Sequence, residues 1–252
     1  MTSLDGLWWL LASLLPLIWL QRSLHREIMA VFLLLTRGQE VSMVLFSLLF
    51  FPGVLLHELS HWLTARLLGV RTGQVWLLPE RMPDGKLRMG YVETERADVL
   101  REALIGFAPL LFGGVFVGFA GLYRMRLDTL WEVLQTAQWG AMPAALQTLS
   151  TQTDFWLWFY LIFVVSSTML PSLSDRQAWT PVLIFAGVLL GMALLAGAGP
   201  WLLANLAPWL DGLLRAAAVV FGISVVVHLA LLLPVVLLRK LLNRVTGLQV
   251  AG

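Results

Sequence analysis

From residue 216 to 238 the chain carries no Asp, Glu, Lys or Arg. As a helix rising 1.5 Å per residue this run is about 35 Å long, enough to cross the ~30 Å hydrocarbon core of a bilayer. Apolar runs of similar character recur at residues 6–21, 41–68, 105–123, 155–174 and 178–210. They raise the chain to 59% hydrophobic residues with only 13% charged and a mean hydropathy of +0.81, against about 45–50% and about 25% in soluble domains. A soluble globule is excluded, because a chain of this size has too little interior to hide so much apolar surface. The expected fold is an all-α polytopic membrane protein of about six transmembrane helices, with a small membrane-surface β-hairpin between the second and third. The net charge of +2 is spread over short loops, so no electrostatic footprint for nucleic acid is present. The absence of cysteine excludes disulfides, thiolate nucleophiles and Cys-built zinc sites.

Three regions are expected. Residues 1–40 form an N-terminal anchor span followed by an interfacial segment at 28–36, which is too short to cross. Residues 41–179 form a core, and residues 180–252 the C-terminal spans. Within the core, residues 72–78 and 87–94 read as short strands around a Pro83-Asp84-Gly85 turn, and Gly69 reads as the cap that ends the preceding helix. The stretch 124–152, with Leu127, Leu130 and Trp131 at helical spacing, reads as an interfacial helix. Trp8, Trp9, Trp19, Trp201 and Trp209 fall near span ends, as aromatic belts require. Basic residues gather after span two (Arg66, Arg71, Arg81, Lys86, Arg88, Arg96, Arg101) and after span six (Arg239, Lys240, Arg244). Placing both clusters inside puts both termini in the cytoplasm.

The chemistry sits in His57-Glu58-Leu59-Ser60-His61, an H-E-x-x-H pattern on a helix. Imidazoles at i and i+4 project from one face at a separation that suits one tetrahedral zinc, and the adjacent glutamate reaches a metal-held water as general base. Ionisable residues within a span are costly to bury and mark a functional site by default. Two histidines leave zinc short of a protein ligand. Asp175 is the first choice, because spans two and four run in the same direction and Pro171 lets the chain fold a carboxylate back. Asp211 follows span five and emerges on the opposite face unless that segment re-enters. His228 lies in span six at a depth comparable to His57. Ser166, Ser167 and Thr168 offer hydroxyls for an oxyanion or for bonding back to their own helix.

These residues resemble the site-2 protease group of intramembrane zinc metalloproteases, and more closely the small bacterial membrane zincin-peptidase-like proteins, over residues 41–179. His57, Glu58 and His61 match the first motif completely. Gly106-Phe107-Ala108-Pro109 is similar to the small-residue and proline motif of the middle core helix, with Phe112 where Asn is usual. Pro171 and Asp175 match the far motif, in which Arg176 replaces Gly. The resemblance implies an enzyme with one Zn2+ per chain, held by His57, His61 and Asp175. With Glu58 as general base, it would hydrolyse peptide bonds in or near transmembrane segments of membrane-protein substrates at the cytoplasmic side. An exposed hairpin edge, at positions such as Val75 and Leu77, is expected to pair with an unwound substrate strand. The competing reading is a non-catalytic pseudoprotease or scaffold that binds single-span membrane proteins or a His-ligated cofactor. Glu58 favours the enzyme, since a binding module has no need of a carboxylate beside the ligands.

Overall fold

A computed structural model describes residues 5–76, 80–81, 87–88, 90–127, 133, 136 and 138–248. Among them are seven helices: α1 Asp5–Thr36, α2 Gln39–Leu67, α3 Val99–Phe119, α4 Met142–Ser150, α5 Phe155–Thr168, α6 Trp179–Leu195 and α7 Gly199–Thr246. Four of them, with α3 counted through the π turn Ala120–Arg124 that continues it, are long and apolar enough to cross a membrane. The two shorter apolar helices are α5, with 14 residues, and α6, with 17. The Pro83–Gly85 turn, Leu77, Leu130 and Trp131 lie outside the described residues.

Helix ends follow local chemistry. The α2 helix stops where Gly69 takes φ 71°, a left-handed conformation open to glycine, and the Gly69 amide bonds the Arg66 carbonyl. The Asp98 side chain accepts from the Arg101 amide and starts α3. Between α2 and α3, strand β1 (Thr72–Trp76) pairs antiparallel with β4 (Tyr91–Thr94), with Val75 opposite Val92 and Trp76 opposite Tyr91. The two-residue strands β2 (Glu80–Arg81) and β3 (Leu87–Arg88) continue the pairing outward. A small antiparallel pair of strands thus lies between α2 and α3 in the chain.

The core is a layer of Leu17 and Leu24 from α1, Phe50 from α2, Ile162 and Val164 from α5 and Val227 from α7, all 2% exposed or less. The α2 and α5 helices touch backbone to backbone at Gly53, where an added Cβ would collide with the Val164 carbonyl and come within 2.6 Å of the Thr168 hydroxyl. This is the small-residue contact that lets bilayer helices approach closely. The Tyr160 hydroxyl donates to the Leu49 carbonyl at 2.8 Å and ties the same two helices.

The direction of the helices departs from the expected plan. At the start of α1, Asp5 meets Arg215 at 3.5 Å and the Gly6 amide donates to Asp211 at 2.7 Å. Further along, Glu27 meets Arg239 at 2.5 Å. Both helices therefore advance the same way, whereas first and sixth of six alternating spans would be antiparallel. The reason lies in α6: it leaves from the end of the bundle where Asp175 sits, and α7 starts beyond Asp211 at that same end. Residues 178–210 thus make no return crossing, and α6 buries none of its residues against the described chain. The end of α2 lies with the start of α1, at the opposite end of the bundle from the end of α7, so the two basic clusters cannot share one side. Residues 28–36 continue α1 without a break instead of forming a separate interfacial segment. The charges that seemed to interrupt it at Glu27 are neutralised by Arg239, and burial of Ile28, Ala30, Val31 and Leu34 carries the helix on.

Gly53→Val is expected to destabilise the protein by about 1–3 kcal/mol through overpacking, read as a lower Tm in detergent. Gly187→Ala, where an added Cβ meets nothing within 4 Å, should leave Tm unchanged or slightly higher.

Candidate metal centre

His57 and His61 stand one turn apart near the end of α2, and the chain after α5 turns back to bring Asp175 against them. The His57 Nε2 and His61 Nε2 atoms are 3.2 Å apart. Asp175 places Oδ2 3.6 Å from the first and Oδ1 3.4 Å from the second. Among the described residues this is the one group of three His, Cys, Asp or Glu side chains whose ligand atoms converge, all within 4.8 Å of one another.

Two freed backbone carbonyls fix the rings. In an α-helix the Ile105 carbonyl would accept from the amide four residues on, but that residue is Pro109, which has no N–H. The orphaned oxygen accepts from His61 Nδ1 at 2.8 Å instead. The Thr168 carbonyl would accept from the Ser172 amide, which donates to Asp175 Oδ2 at 2.7 Å. It accepts from His57 Nδ1 at 2.7 Å. A neutral imidazole that donates through Nδ1 has a lone pair on Nε2, so both Nε2 lone pairs and the carboxylate face one point. Three such acceptors repel one another unless a positive charge lies among them, either a proton shared by His57 Nε2 and Asp175 or a bound cation.

The donor set fits a tetrahedral divalent ion. With ligand bonds of about 2.0–2.1 Å, tetrahedral angles put donors about 3.3–3.4 Å apart, close to the 3.2 Å between the two Nε2 atoms, and with one carboxylate oxygen all three donor atoms lie within 4.8 Å of one another. Hydrogen bonds from ring Nδ1 to carbonyls are the usual outer partners of metal-ligating histidines. Burial opposes ionisation of Asp175, but bonds from His57 and Ser172 and the nearby His61 outweigh it and hold its carboxyl at about 2, so the ligand is a carboxylate at neutral pH.

The close approach of the Asp175 loop depends on Gly106, since an added Cβ there would collide with the Asp175 carbonyl. Glu58 is buried at 7% exposure. With His57, His61 and Asp175 it lines a partly open cavity of about 920 Å³, walled on another side by Gly90, Tyr91, Val92 and Thr94 at β4. A Cβ at Gly90 would lie 3.1 Å from Glu58 Cγ, so glycine there leaves room for the glutamate. Val75 pairs across the ladder from cavity-lining Val92.

The other two ligand candidates have different partners. Asp211 accepts from the Gly6 amide and from Arg215 Nε, both at 2.7 Å, and ties α1 to α7. His228 is fully buried, with Nδ1 on the Ser224 carbonyl at 2.8 Å and Nε2 against the Ser167 hydroxyl at 3.0 Å. Ser166 and Thr168 hydroxyls bond back to Ile162 and Val164 carbonyls at 2.6 and 3.0 Å. Sequence reasoning missed the Ile105 and Thr168 carbonyls, although Pro109 four residues after Ile105 signals the first. Comparisons with family models, with curated proteins and with solved structures returned no match.

Pro109→Ala restores an amide that competes for the Ile105 carbonyl. It is expected to weaken metal affinity about tenfold, the lower end for a lost outer-shell partner, while Tm holds or rises. Chelator competition and thermal unfolding check the two together.

Proposed function

We propose that the protein is a zinc-dependent intramembrane endopeptidase. The reading rests above all on one observation: two Nε2 lone pairs and a carboxylate converge beside a buried glutamate, in a cavity at the end of membrane-length helices. His57, His61 and Asp175 would hold one Zn2+ per chain, leaving the fourth position open as in catalytic zinc sites. When bound, zinc supplies a Lewis acid that polarises a carbonyl and brings the pKa of water towards about 7. Glu58 accepts the proton of the attacking water and delivers it to the leaving amine. Its burial beside His57 excludes bulk solvent from that transfer.

The substrate class follows from the surroundings. A cavity at the end of membrane-length helices suits polypeptide already in the membrane, and a helical amide must be unwound before its carbonyl is accessible. Gly90, Tyr91, Val92 and Thr94 stand in the cavity wall, where extended backbone can pair with an unwound substrate. Transmembrane proteins or peptides are therefore the proposed substrates. Activity at the cytoplasmic face of a bacterial membrane now rests on the basic hairpin cluster alone, because Arg239, Lys240 and Arg244 lie at the far end of the bundle. This reading agrees with the resemblance to site-2 proteases carried by the His57–His61 motif.

In detergent-purified protein, Glu58→Gln is expected to keep zinc near one per chain, and His57→Ala and Asp175→Ala to lose it. In membranes, proteomics of single-span proteins should show fragments with the wild type that vanish with Glu58→Gln. Identical fragment patterns from wild type and Glu58→Gln would contradict a proteolytic role.

A further inference from the structure

The α1 and α7 helices supply no ligand to the metal centre, yet both reach the last turn of α5. The Ser167 carbonyl would accept from residue 171 in a continuing helix, but that residue is Pro171 and has no N–H. Gln21 of α1 donates its side-chain amide to this carbonyl instead. On the neighbouring side, the Ser167 hydroxyl donates at 3.0 Å to His228 Nε2, whose acceptor state is set by Nδ1 donating to the Ser224 carbonyl at 2.8 Å. Ser167 is 3% exposed and His228 is fully buried. The next residue, Thr168, carries the carbonyl that orients His57, and Asp175 follows after a turn closed by Ser172.

We propose that Gln21 and His228 are positioning residues for the metal centre: from helices outside it they clamp the broken end of α5, and thereby set both the His57 ring and the approach of Asp175. The pattern is hard to explain as packing alone. A half-buried amide and a fully buried imidazole could each be replaced by apolar side chains at less desolvation cost. Together they satisfy the freed carbonyl and the hydroxyl at the point where the chain must leave the helix. Because α1 and α7 run parallel and are joined at Asp5–Arg215, Gly6–Asp211 and Glu27–Arg239, the clamp is built on a rigid pair. This assigns a role to the first and last helices, and it rests on the metal reading above.

The test compares Zn2+ dissociation constants of full-length protein in detergent, by chelator competition, with visible spectra of the Co2+ form reporting ligand geometry. Gln21→Met and His228→Phe keep a side chain of related shape and remove the polar contact. Each should weaken Zn2+ binding about tenfold and change the Co2+ spectrum, whereas His228→Gln, which retains an acceptor, should recover most of the affinity. Val227→Ala opens a cavity beside the clamp without touching a polar contact; it should lower Tm and leave affinity unchanged. If His228→Phe does not fold, Ser167→Ala removes the hydroxyl alone and is expected to weaken binding in the same direction. Unchanged affinity in Gln21→Met and in His228→Phe or Ser167→Ala, or an equal loss in Val227→Ala, would overturn the proposal. Parent protein that binds no Zn2+ would overturn the metal reading itself and this inference with it, and that failure shows before any substitution is made.

Discussion

Two hydrogen bonds from ring Nδ1 atoms to main-chain carbonyls organise the molecule's chemistry. His57 donates to Thr168 and His61 to Ile105, and each bond leaves the far nitrogen of its ring as an acceptor. Two such nitrogens 3.2 Å apart, facing a carboxylate, form an arrangement that repels itself unless a cation or a shared proton lies between them. A low-dielectric setting makes that repulsion stronger than it would be in water. The fold therefore gathers acceptor atoms at one point on the bundle, all within 4.8 Å of one another.

The carbonyls are available because prolines interrupt the helices that carry them. In a bilayer an unpaired backbone group costs several kcal/mol, so each interruption needs a partner, and here each partner is a functional or buried polar side chain. Pro109 releases Ile105 to His61, and Pro171 releases Ser167 to Gln21. Ser172 turns its amide to Asp175 and releases Thr168 to His57. Glycines do the complementary work: Gly53 and Gly106 let α5 and the Asp175 loop come close enough for those bonds to form.

Much of this was legible in the sequence. The H-E-x-x-H spacing put two imidazoles and a glutamate on one helix, and the equal direction of α2 and α5 brought Asp175 to their end. Gly69 announced the end of α2, and alternating short runs around a Pro-Asp-Gly segment announced paired strands. Directions and partners across the bundle were not legible. Hydropathy registers apolar length and carries no sign, so it read residues 178–210 as one crossing when α6 and the start of α7 stay at one end. It also separated residues 28–36 from the first span, because the Arg239 that neutralises Glu27 lies 212 positions away in sequence. His228 and Asp211 looked like spare ligands because a lone polar residue in an apolar run does not disclose its partner.

Zinc K-edge X-ray absorption on the purified, metal-replete protein addresses the central claim most directly. The account predicts a four-coordinate shell of nitrogen and oxygen at about 2.0–2.1 Å, with the multiple-scattering pattern of two imidazoles, absent in His57→Ala. A sample whose zinc content matches that variant, or a shell without imidazole, would contradict it.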